Sequence, residues 1–540
     1  MEREYTVIAN TREDLPALET EITASSGAGP IPDRSVDVAN PRPGSRIQTH
    51  FMLTDDEAEE LRKDPRVRAV EVPPEQRDDI SIGLNAYQQG RFLRASGLDS
   101  SNVNWGLRRC MSETNNYQDG SNRLTEIDGP YEYAVDGTGV DIVIQDSGID
   151  PDHPDWNDYN GVSRFQEIDW YVESGLPGTQ SADHYRDLDG HGTHCASIAA
   201  GLIYGWAKGA HIYSQKLAGL ETLQGSDGTG IPISDAFDCI RLWHNAKTNG
   251  RPTVVNMSWG YGATISDDPT SGVYRGTPWT YGVDYTDRNT LEAATGYSRD
   301  RFIDGGSNSF FRMPVRVASV DAEVEDMISD GIHITIAAGN DYHKADIEGG
   351  PDYDNEATIG GVTRFYHRGS SPLSPNAFMV GNIDDNFKAY FDETYTDQER
   401  LLDQTASSSK RGPGTNIWAP GSEITAATSR DYDTGSYSTV GYPGAEEFPI
   451  MSIGGTSMAA PQVCGVVAQH LQVRPNLTPA QMQARIFADS KAVIYDTGSS
   501  TDYERILDSI MGSPNRMLFS RYGKQGITTN AVGILTAIQG

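Results

Sequence analysis

A serine set between small residues at the start of an apolar helix constrains this chain more than any other feature. The stretch Gly455–Pro461 reads Gly-Thr-Ser-Met-Ala-Ala-Pro, which predicts a tight turn leading into a buried helix. An apolar stripe at helical spacing continues from Val463 to Leu471. Ser457 would then lie at a helix N-terminus, where free N–H groups and the helix dipole favour developing negative charge. A core helix that Thr456 or Ser457 merely caps is the structural alternative.

Two further stretches supply an acid and a histidine. Val140–Gly148 is a short apolar strand in which Asp146 comes just before a glycine turn. Asp189–Ala196 places His191 between glycines at the start of a second helix of small residues. A nucleophilic triad needs these parts, because the imidazole takes the hydroxyl proton while the carboxylate fixes its tautomer and steadies the imidazolium.

In local sequence and in chain order, the three motifs resemble those of subtilisin-like serine proteases, the subtilase family. The resemblance covers the chain from Asn104 to Gln472. It implies an α/β fold whose parallel sheet carries helices on both faces. It also implies a serine endopeptidase in which Ser457 is the nucleophile, His191 the general base and Asp146 the orienting carboxylate.

Two other classes of protein remain as alternatives. One is a catalytically silent protein of the same fold that serves as a structural or particle-associated component. The other is a binding module in which acidic insertions matter more than the cleft. A fluorophosphonate probe separates both from an enzyme, because only an activated serine reacts with it.

The same resemblance assigns the remaining parts of the site. Asn340 follows a predicted core strand and matches the family's oxyanion asparagine, which would form the oxyanion hole with the backbone N–H of Ser457. Ser258, Trp259 and Gly260 follow a buried strand and resemble the segment that pairs with the substrate backbone. Because Trp259 stands where a smaller aliphatic residue is common, the sequence does not predict a subsite preference.

Residues 1–72 have a different pattern from the remainder. Strand and helix signals alternate there in the order of a ferredoxin-like split βαβ unit, and this α+β part resembles the inhibitory and chaperone prodomain of subtilases. An unrelated small α+β module is the alternative. Residues 73–103 lack a pattern and are predicted to be a linker containing a self-cleavage site. Residues 104–540 are predicted to form the catalytic domain, with surface insertions near 264–316 and 384–403 and a C-terminal extension.

The composition excludes some partners. The chain of 540 residues has a formal net charge of −33, which argues against nucleic acid as a partner because its phosphates would be repelled.

No apolar run is long enough to span a bilayer, and Met1–Glu4 leads into patterned sequence without a stretch resembling a signal peptide. We therefore expect cytoplasmic synthesis, with release on lysis, non-classical export or association with a particle as alternatives. The expected partners are polypeptide substrates and the chain's own prodomain.

No cofactor or metal is expected in catalysis, but structural calcium is common in the family. One weak cation site of the family uses an aspartate where this chain has Asn416, so we do not expect calcium there. The acidic loops Asp150–Asp158 and Asp341–Asp354 are the remaining candidates.

The cysteines form neither a disulfide framework nor a metal-ligand spacing. Cys195 comes four residues after His191, so the two side chains are predicted on one helix face, one turn apart. The resemblance to thiol-containing, proteinase K-like subtilases implies a thiol packed under the catalytic imidazole. A small buried hydrophobe is the alternative. The chain has four cysteines: Cys110, Cys195, Cys239 and Cys464.

Overall fold

The structure is a computed structural model that describes residues 2–24, 30–31, 34–77, 80–84, 104–113, 131–221, 226–265, 267–297, 311–341, 343–384, 402–432, 438–496 and 509–525. The strands are β1 Arg3–Ala9, β2 Val38–Asn40, β3 Gln48–Leu53, β4 Val67–Glu71, β5 Ser81–Leu84, β6 Tyr131–Tyr133, β7 Asp141–Asp146, β8 His211–Lys216, β9 Thr253–Met257, β10 Trp259–Ile265, β11 Ser271–Tyr274, β12 Thr277–Thr280, β13 Phe311–Pro314, β14 His333–Ala337, β15 Glu356–Ile359, β16 Val362–Phe365, β17 Phe378–Asp384, β18 Gln404–Thr405, β19 Ile417–Pro420, β20 Ile424–Ala427, β21 Thr439–Tyr442, β22 Ala445–Ile453 and β23 Gly523–Gln525. The α-helices are α1 Asp14–Thr23, α2 Asp55–Leu61, α3 Trp105–Arg109, α4 Trp170–Ser174, α5 His191–Ala200, α6 Ile233–Ala246, α7 Arg288–Thr295, α8 Ala318–Ser329, α9 Thr456–Val473 and α10 Pro479–Asp489.

A seven-stranded sheet forms the centre of the molecule, with the order β18-β17-β14-β9-β7-β8 and with β19 beside β17. Its strands pair in parallel, except that β18 runs antiparallel to β17. Strands β7, β9 and β14 are fully buried, as a sheet covered on both faces requires. One apolar core contains residues of α5 and α9, and a second contains residues of α6 and α8. The predicted α/β fold with helices on both faces is confirmed, and β18 is the exception to an all-parallel sheet.

Helix α9 is buried over nearly its whole length because its small residues allow close approach. A Cβ atom at Gly465 would lie 2.4 Å from Cβ of Trp206 and 2.6 Å from the carbonyl oxygen of Ala199, so no larger residue fits there. The turn before the helix uses Gly455 at φ 153°, a conformation that favours glycine. None of the helices among the described residues is both long and apolar enough to cross a membrane.

Strands β1 to β4 form a separate antiparallel sheet with the order β2-β3-β1-β4. Helices α1 and α2 pack on it, and their buried leucines share one core with β1 and β3. Thr54 and Glu57 form a reciprocal capping box that begins α2. This is the predicted ferredoxin-like topology, and we call residues 2–77 the N-terminal unit.

Within the first predicted insertion, residues 264–316, the described residues 264–265, 267–297 and 311–316 contain more regular secondary structure than the composition suggested. Strands β11 and β12 pair with β15 and β16 in a four-stranded sheet. Trp279, Tyr297 and Tyr366 give that sheet its own small core. The sequence did not predict this sheet, because Tyr366 and the strands β15 and β16 come from a distant part of the chain. The second predicted insertion lies mostly outside the described residues, as do the linker after Leu84 and the C-terminal end after Gln525.

Candidate active site

Three separate segments bring Asp146, His191 and Ser457 together. Asp146 is the last residue of β7, His191 the first of α5 and Ser457 the second of α9. All three side chains are buried. A Cβ atom at Gly192 would lie 2.1 Å from the carbonyl oxygen of Gly148, so only glycine after the histidine lets α5 approach the turn that follows β7.

The carboxylate and the imidazole form the best-defined contact of the site. Nδ1 of His191 lies 2.7 Å from Oδ1 of Asp146, which also accepts the N–H of Ser147 at 2.8 Å. An ionised carboxylate only accepts, so Nδ1 carries the hydrogen and Nε2 of the neutral ring is an acceptor. Burial is the largest single influence and would lower the pKa of His191. The negative charge of Asp146, its hydrogen bond and the contact with Cys195 together outweigh burial and raise that pKa well above its usual value.

The serine hydroxyl is not yet bonded to the imidazole. Oγ of Ser457 donates to the carbonyl oxygen of Ser258 at 2.9 Å, while Oγ of Ser258 donates to the carbonyl oxygen of Ser457 at 2.9 Å. Nε2 of His191 is buried and has no hydrogen-bond partner. Catalytic hydrogen bonds are often loose without substrate and tighten in the complex. The site therefore holds a rotatable hydroxyl and an open acceptor for its proton.

Asn340 is anchored by one side of its amide only. Its Oδ1 accepts the backbone N–H and the hydroxyl of Thr456, both at 3.0 Å. Its Nδ2 is buried without a partner. The residue next to the nucleophile thus fixes the side chain and leaves two N–H groups free to bind a developing oxyanion.

Asp187 is a part of the site that sequence reasoning missed. Its buried carboxylate accepts Oγ of Ser147 and the N–H of Gly190, both at 2.9 Å. It also accepts the N–H of Thr193 at 2.9 Å and the Thr193 hydroxyl at 2.6 Å. These bonds tie the turn after β7 to the first turn of α5, which carries His191. The sequence signal that could have identified Asp187 is an acidic residue in the loop just before Gly190 and His191.

Cys195 lies on the same face of α5 as His191, one turn further along the helix. Its Sγ is 3.8 Å from Nδ1 of His191 and 3.5 Å from the carbonyl oxygen of Ser457. Burial raises the pKa of this thiol, so it is neutral at ordinary pH. Together with Asp146 and His191 it forms the one group of described residues that has metal-ligand spacing. His194, which lies on α5 one turn after Gly190, contacts two backbone carbonyl oxygens at 3.1 and 3.2 Å, so its ring holds structure and is not directed at Ser457.

The predicted substrate-pairing segment is covered by a strand of the same chain. Ser258 precedes β10, and Trp259 and Gly260 are its first residues. Strand β10 pairs antiparallel with β5, which follows the N-terminal unit. The Trp259 side chain is fully buried near the rings of Phe237 and Tyr261. The edge that would read a peptide backbone is therefore already engaged by a backbone.

Carboxylates of the N-terminal unit lie at the first residues of the two helices it faces. Glu71 accepts the N–H groups of Ala318 and Ser319 at 3.2 and 2.8 Å, at the start of α8. Glu75 accepts the N–H of Ser234 at 2.9 Å, at the start of α6. Negative charge at a helix N-terminus is stabilising, so both contacts attach the unit to the larger domain.

A network of buried charges reinforces that attachment. The Arg42 guanidinium is 4% exposed and lies 3.2 Å from Asp238 on α6 and 2.9 Å from Glu323 on α8. Three more ion pairs among the described residues cross the same boundary. Arg12 lies 2.5 Å from Asp326 and 3.5 Å from Asp330, and Arg46 lies 2.9 Å from Asp330. The arginines belong to the N-terminal unit and the acids to the larger domain. Arg241 of the larger domain contacts the same acids, so the N-terminal unit supplies the additional cations that this acidic cluster needs.

The two acidic loops proposed for calcium carry their own cations. Asp150 is paired with Arg430 at 2.9 Å, and Asp352 with Lys344 at 2.6 Å. Calcium needs several oxygen ligands that no other cation already neutralises. These carboxylates do not fit that requirement.

Asn416 stands where a weak cation site of the family would have an aspartate. Both polar atoms of its side-chain amide are hydrogen-bonded to backbone groups. Its Nδ2 donates to the carbonyl oxygen of Ala377 at 2.8 Å, and its Oδ1 accepts the N–H of Met379 at 2.9 Å. Asn416 therefore contributes an amide N–H, and not a carboxylate oxygen, to this part of the structure.

Comparison with known proteins agrees with this geometry. The model of the subtilase family matches residues 137–513. An alkaline serine exoprotease A from Vibrio alginolyticus is 24% identical over 468 residues, which are 87% of this chain and 57% of that protein. An extracellular serine proteinase from Thermus sp. (strain Rt41A) is 23% identical over 434 residues, covering 80% of this chain and 68% of that protein. The chain thus spans little more than half the length of the first of these relatives.

Solved structures show similarity at lower identity. A cold-adapted subtilisin-like serine proteinase matches with a TM-score of 0.42 and 20% identity, over 78% of this chain and 98% of that one. Fervidolysin from Fervidobacterium pennivorans, a keratinolytic enzyme related to subtilisin, matches with a TM-score of 0.46 and 16% identity, over 100% of this chain and 61% of that one.

Proposed function

Because the chain belongs to the subtilase family, we propose that it is a serine endopeptidase that hydrolyses peptide bonds through Asp146, His191 and Ser457. One observation carries the proposal: Nδ1 of His191 is held 2.7 Å from Asp146 while its buried Nε2 has no partner. Other buried histidines, such as His194, also have one ring nitrogen without a partner. His191 differs because its bonded nitrogen faces a buried carboxylate, which fixes the tautomer and stabilises the imidazolium. This one is oriented on one side and open on the other.

The proposed reaction follows the acyl-transfer scheme. Ser457 Oγ attacks the substrate carbonyl carbon, and Nε2 of His191 takes the hydroxyl proton. Asp146 keeps the ring in the correct tautomer and stabilises the imidazolium. The same proton then passes to the departing amine as the C–N bond breaks. Water repeats the sequence on the acyl-enzyme and releases the acid with the free serine.

Asn340 would stabilise the transition state rather than the substrate. Its free Nδ2 and the N–H of Ser457 are the proposed donors to the oxyanion. Ser258, Trp259 and Gly260 would hold the substrate as an added antiparallel strand, in the way that β10 holds β5. Such pairing reads main chain, so we propose unfolded or loop segments of polypeptides as substrates.

We also propose that the N-terminal unit is an inhibitory prodomain and that the protein matures by cutting its own chain. Three features support this: the ferredoxin-like sheet, the ion pairs of Arg42 with α6 and α8, and the occupation of β10 by β5. While β5 stays on β10, a substrate cannot pair there. Inhibition is therefore a matter of occupancy and does not require a distorted triad.

Hydrolysis of casein by the processed protein tests the activity. We expect wild type to cleave casein and Ser457→Ala to be inactive. The matched control is Ser452→Ala, since Ser452 lies on the preceding strand β22, outside the triad, and we expect it to keep activity. Absence of hydrolysis by folded, processed wild type would instead favour the catalytically silent alternative.

A further inference from the structure

A buried lysine lies next to the loop that carries Asn340. Nζ of Lys410 is 2.9 Å from Oδ2 of Asp341, and the two side chains are 1% and 5% exposed. The same ammonium group donates to Oγ of Ser370 at 2.8 Å. The proposed acyl transfer uses neither Lys410 nor Asp341, so it does not explain why this pair of charges is buried beside the site.

Lys410 contacts the residues on both sides of Asn340. Its backbone N–H donates to the carbonyl oxygen of Gly339 at 2.9 Å, while its ammonium group binds the carboxylate of Asp341. A Cβ atom at Gly339 would lie 3.2 Å from both Cδ and Nζ of Lys410, and Gly339 has φ 113°, a conformation that favours glycine. One residue therefore fixes the backbone just before the asparagine and the side chain just after it.

Thr456 holds the same loop through other atoms. Its Oγ1 accepts the N–H of Gly339 at 3.1 Å, and its backbone N–H and hydroxyl bind Oδ1 of Asn340. The loop is thus fixed by the neighbour of the nucleophile and by Lys410. An oxyanion donor must come within about 2.7–3.1 Å of the developing charge, so the position of this loop decides whether Nδ2 of Asn340 can act.

The buried charges make the contact between Lys410 and Asp341 rigid. A buried ion is costly unless it is paired, so separation of the two side chains is strongly unfavourable. His343 also faces Asp341, with its N–H 3.3 Å and its Nδ1 3.8 Å from Oδ1. Burial lowers the pKa of His343 to about 4, so this ring is neutral near pH 7 and Lys410 remains the charged partner of Asp341.

We propose that Lys410 is a positioning residue of the oxyanion hole. Through Gly339 and Asp341 it holds Asn340 where Nδ2 can reach the developing oxyanion. This rests on the proposed function, and it adds a residue that lies in none of the three triad motifs. Because Lys410 acts through Asn340 and not on the substrate, its loss should weaken binding of the transition state and leave binding of the substrate unchanged.

A double-mutant cycle between Lys410→Met and Asn340→Ala tests this role by steady-state peptide hydrolysis with the processed protein. We expect Lys410→Met to lower kcat by about 10- to 100-fold with little change in KM, because a displacement of about 1 Å can cost a factor of that size. In the Asn340→Ala background, the same substitution should change kcat by less than about twofold, because residues that act as a unit are not additive.

Lys344→Met is the matched control. Lys344 is also a buried lysine in ion pairs, with Nζ 2.6 Å from Asp352 and 3.5 Å from Asp346, but these partners do not adjoin Asn340. We expect its kcat to equal that of wild type. If Lys410→Met does not fold, Asp341→Asn takes its place in the cycle with the same expected results, since it removes the other charge of the pair and keeps the shape of the side chain.

The possible failures separate the role of Lys410 from the function. Additive losses in the double variant, or a loss mainly in KM, overturn the positioning role and leave the protease intact. An equal fall of kcat in Lys344→Met also overturns it, because loss of any buried ion pair would then have the same effect. Absence of hydrolysis by the folded, processed wild type overturns the proposed function, and the role of Lys410 with it.

Discussion

The catalytic centre and the interface with the N-terminal unit both bury charge, but they use it differently. In the centre, Asp146 faces His191, and the neighbouring Nε2 of His191 and Nδ2 of Asn340 have no partner. At the interface, Arg42 lies between Asp238 and Glu323, and each acid belongs to a different helix. A catalytic side chain must be oriented by the protein and must also keep one hydrogen-bonding atom available for the substrate or the nucleophile. Attachment needs charges whose partners lie across the boundary.

This difference in the use of charge predicts which contacts each region would retain if the N-terminal unit were removed. All members of the proposed triad belong to the larger domain, so the centre retains its contacts. The interface loses the guanidinium of Arg42, and Asp238 and Glu323 are left with Arg241 at 3.3 and 3.9 Å. The contacts of the catalytic centre are complete within the larger domain, whereas those of the interface are complete only while the N-terminal unit is attached.

Removal of a catalytic side chain should have the largest effect. We expect Ser457→Ala or His191→Ala to lower kcat by about 10⁶, a size measured in subtilisin, a member of this family, and not calculated from this geometry. The double variant should be no worse than either single one, because the residues act as a unit. The assay is peptide hydrolysis after an outside protease has removed the N-terminal unit at an inserted site. Additive losses would contradict a shared proton-transfer role.

Breaking the interface should come next. Arg42→Ala, made in the uncut Ser457→Ala chain, should weaken attachment by at most about 3–5 kcal/mol, the cost of removing one partner of a buried ion pair, because Arg241 remains as a cation for Asp238 and Glu323. Hydrogen exchange of the β1 amides at rising urea concentration measures this. The control is Arg68→Ala, which removes an exposed arginine of the same unit and should change stability by less than about 0.5 kcal/mol. Equal effects of the two variants would show that the buried pairs do not hold the unit.

The two regions also differ in how far the sequence predicts them. Asp146, His191 and Ser457 each lie in a short contiguous motif, so these motifs and the family resemblance that they carry were enough to predict the residues and the fold around them. The interface pairs residues as far apart in sequence as Arg42 and Glu323. No local pattern marks such a pair.

Two other features escaped prediction for physical reasons. Strand β5 lies within residues 73–103, for which the sequence predicts a linker. The strand has only four residues, and its partner β10 is distant in the sequence, so no local pattern indicates it. Asp187 acts through hydrogen bonds to backbone and hydroxyl groups, which many acids in glycine loops do not make. In both cases the missing information is tertiary.

Asn340→Ala tests the open donor of the centre. We expect kcat to fall by about 10²–10³ with little change in KM, a range also taken from subtilisin. The reason is that Nδ2 has no ground-state partner in the protein. The matched control is Asn376→Ala, an exposed asparagine bonded to Glu325, which should leave kcat unchanged. A loss mainly in KM would mean that Asn340 positions substrate.

The pH dependence tests the charge of the centre. The imidazole must be neutral to accept a proton, and Asp146 raises the pKa of His191 well above 6.5. Activity should therefore be lost as pH falls through that raised pKa, with a half-maximal point above pH 6.5. In Asp146→Asn the remaining activity should have a lower midpoint, because the stabilising charge is gone. A wild-type profile flat between about pH 5 and 8 would exclude His191 as the base.

The smallest change in activity is expected at Cys195. Its thiol touches both His191 and Ser457, so a bound mercurial should displace the imidazole and stop proton transfer. Cys195→Ala should keep activity and resist mercurials. Replacement of Cys110, Cys239 or Cys464, which are also buried, should leave sensitivity unchanged. If Cys195→Ala is as sensitive as wild type, the reacting thiol is another one.

The most direct test of the central claim is to locate the site of fluorophosphonate labelling in the folded, processed protein by peptide mass spectrometry. A triad in which His191 activates Ser457 predicts one adduct, on Ser457, that disappears in His191→Ala while the protein stays folded. Absence of labelling in the native wild type, or an adduct on any other residue, would contradict the assignment of Ser457 as the nucleophile.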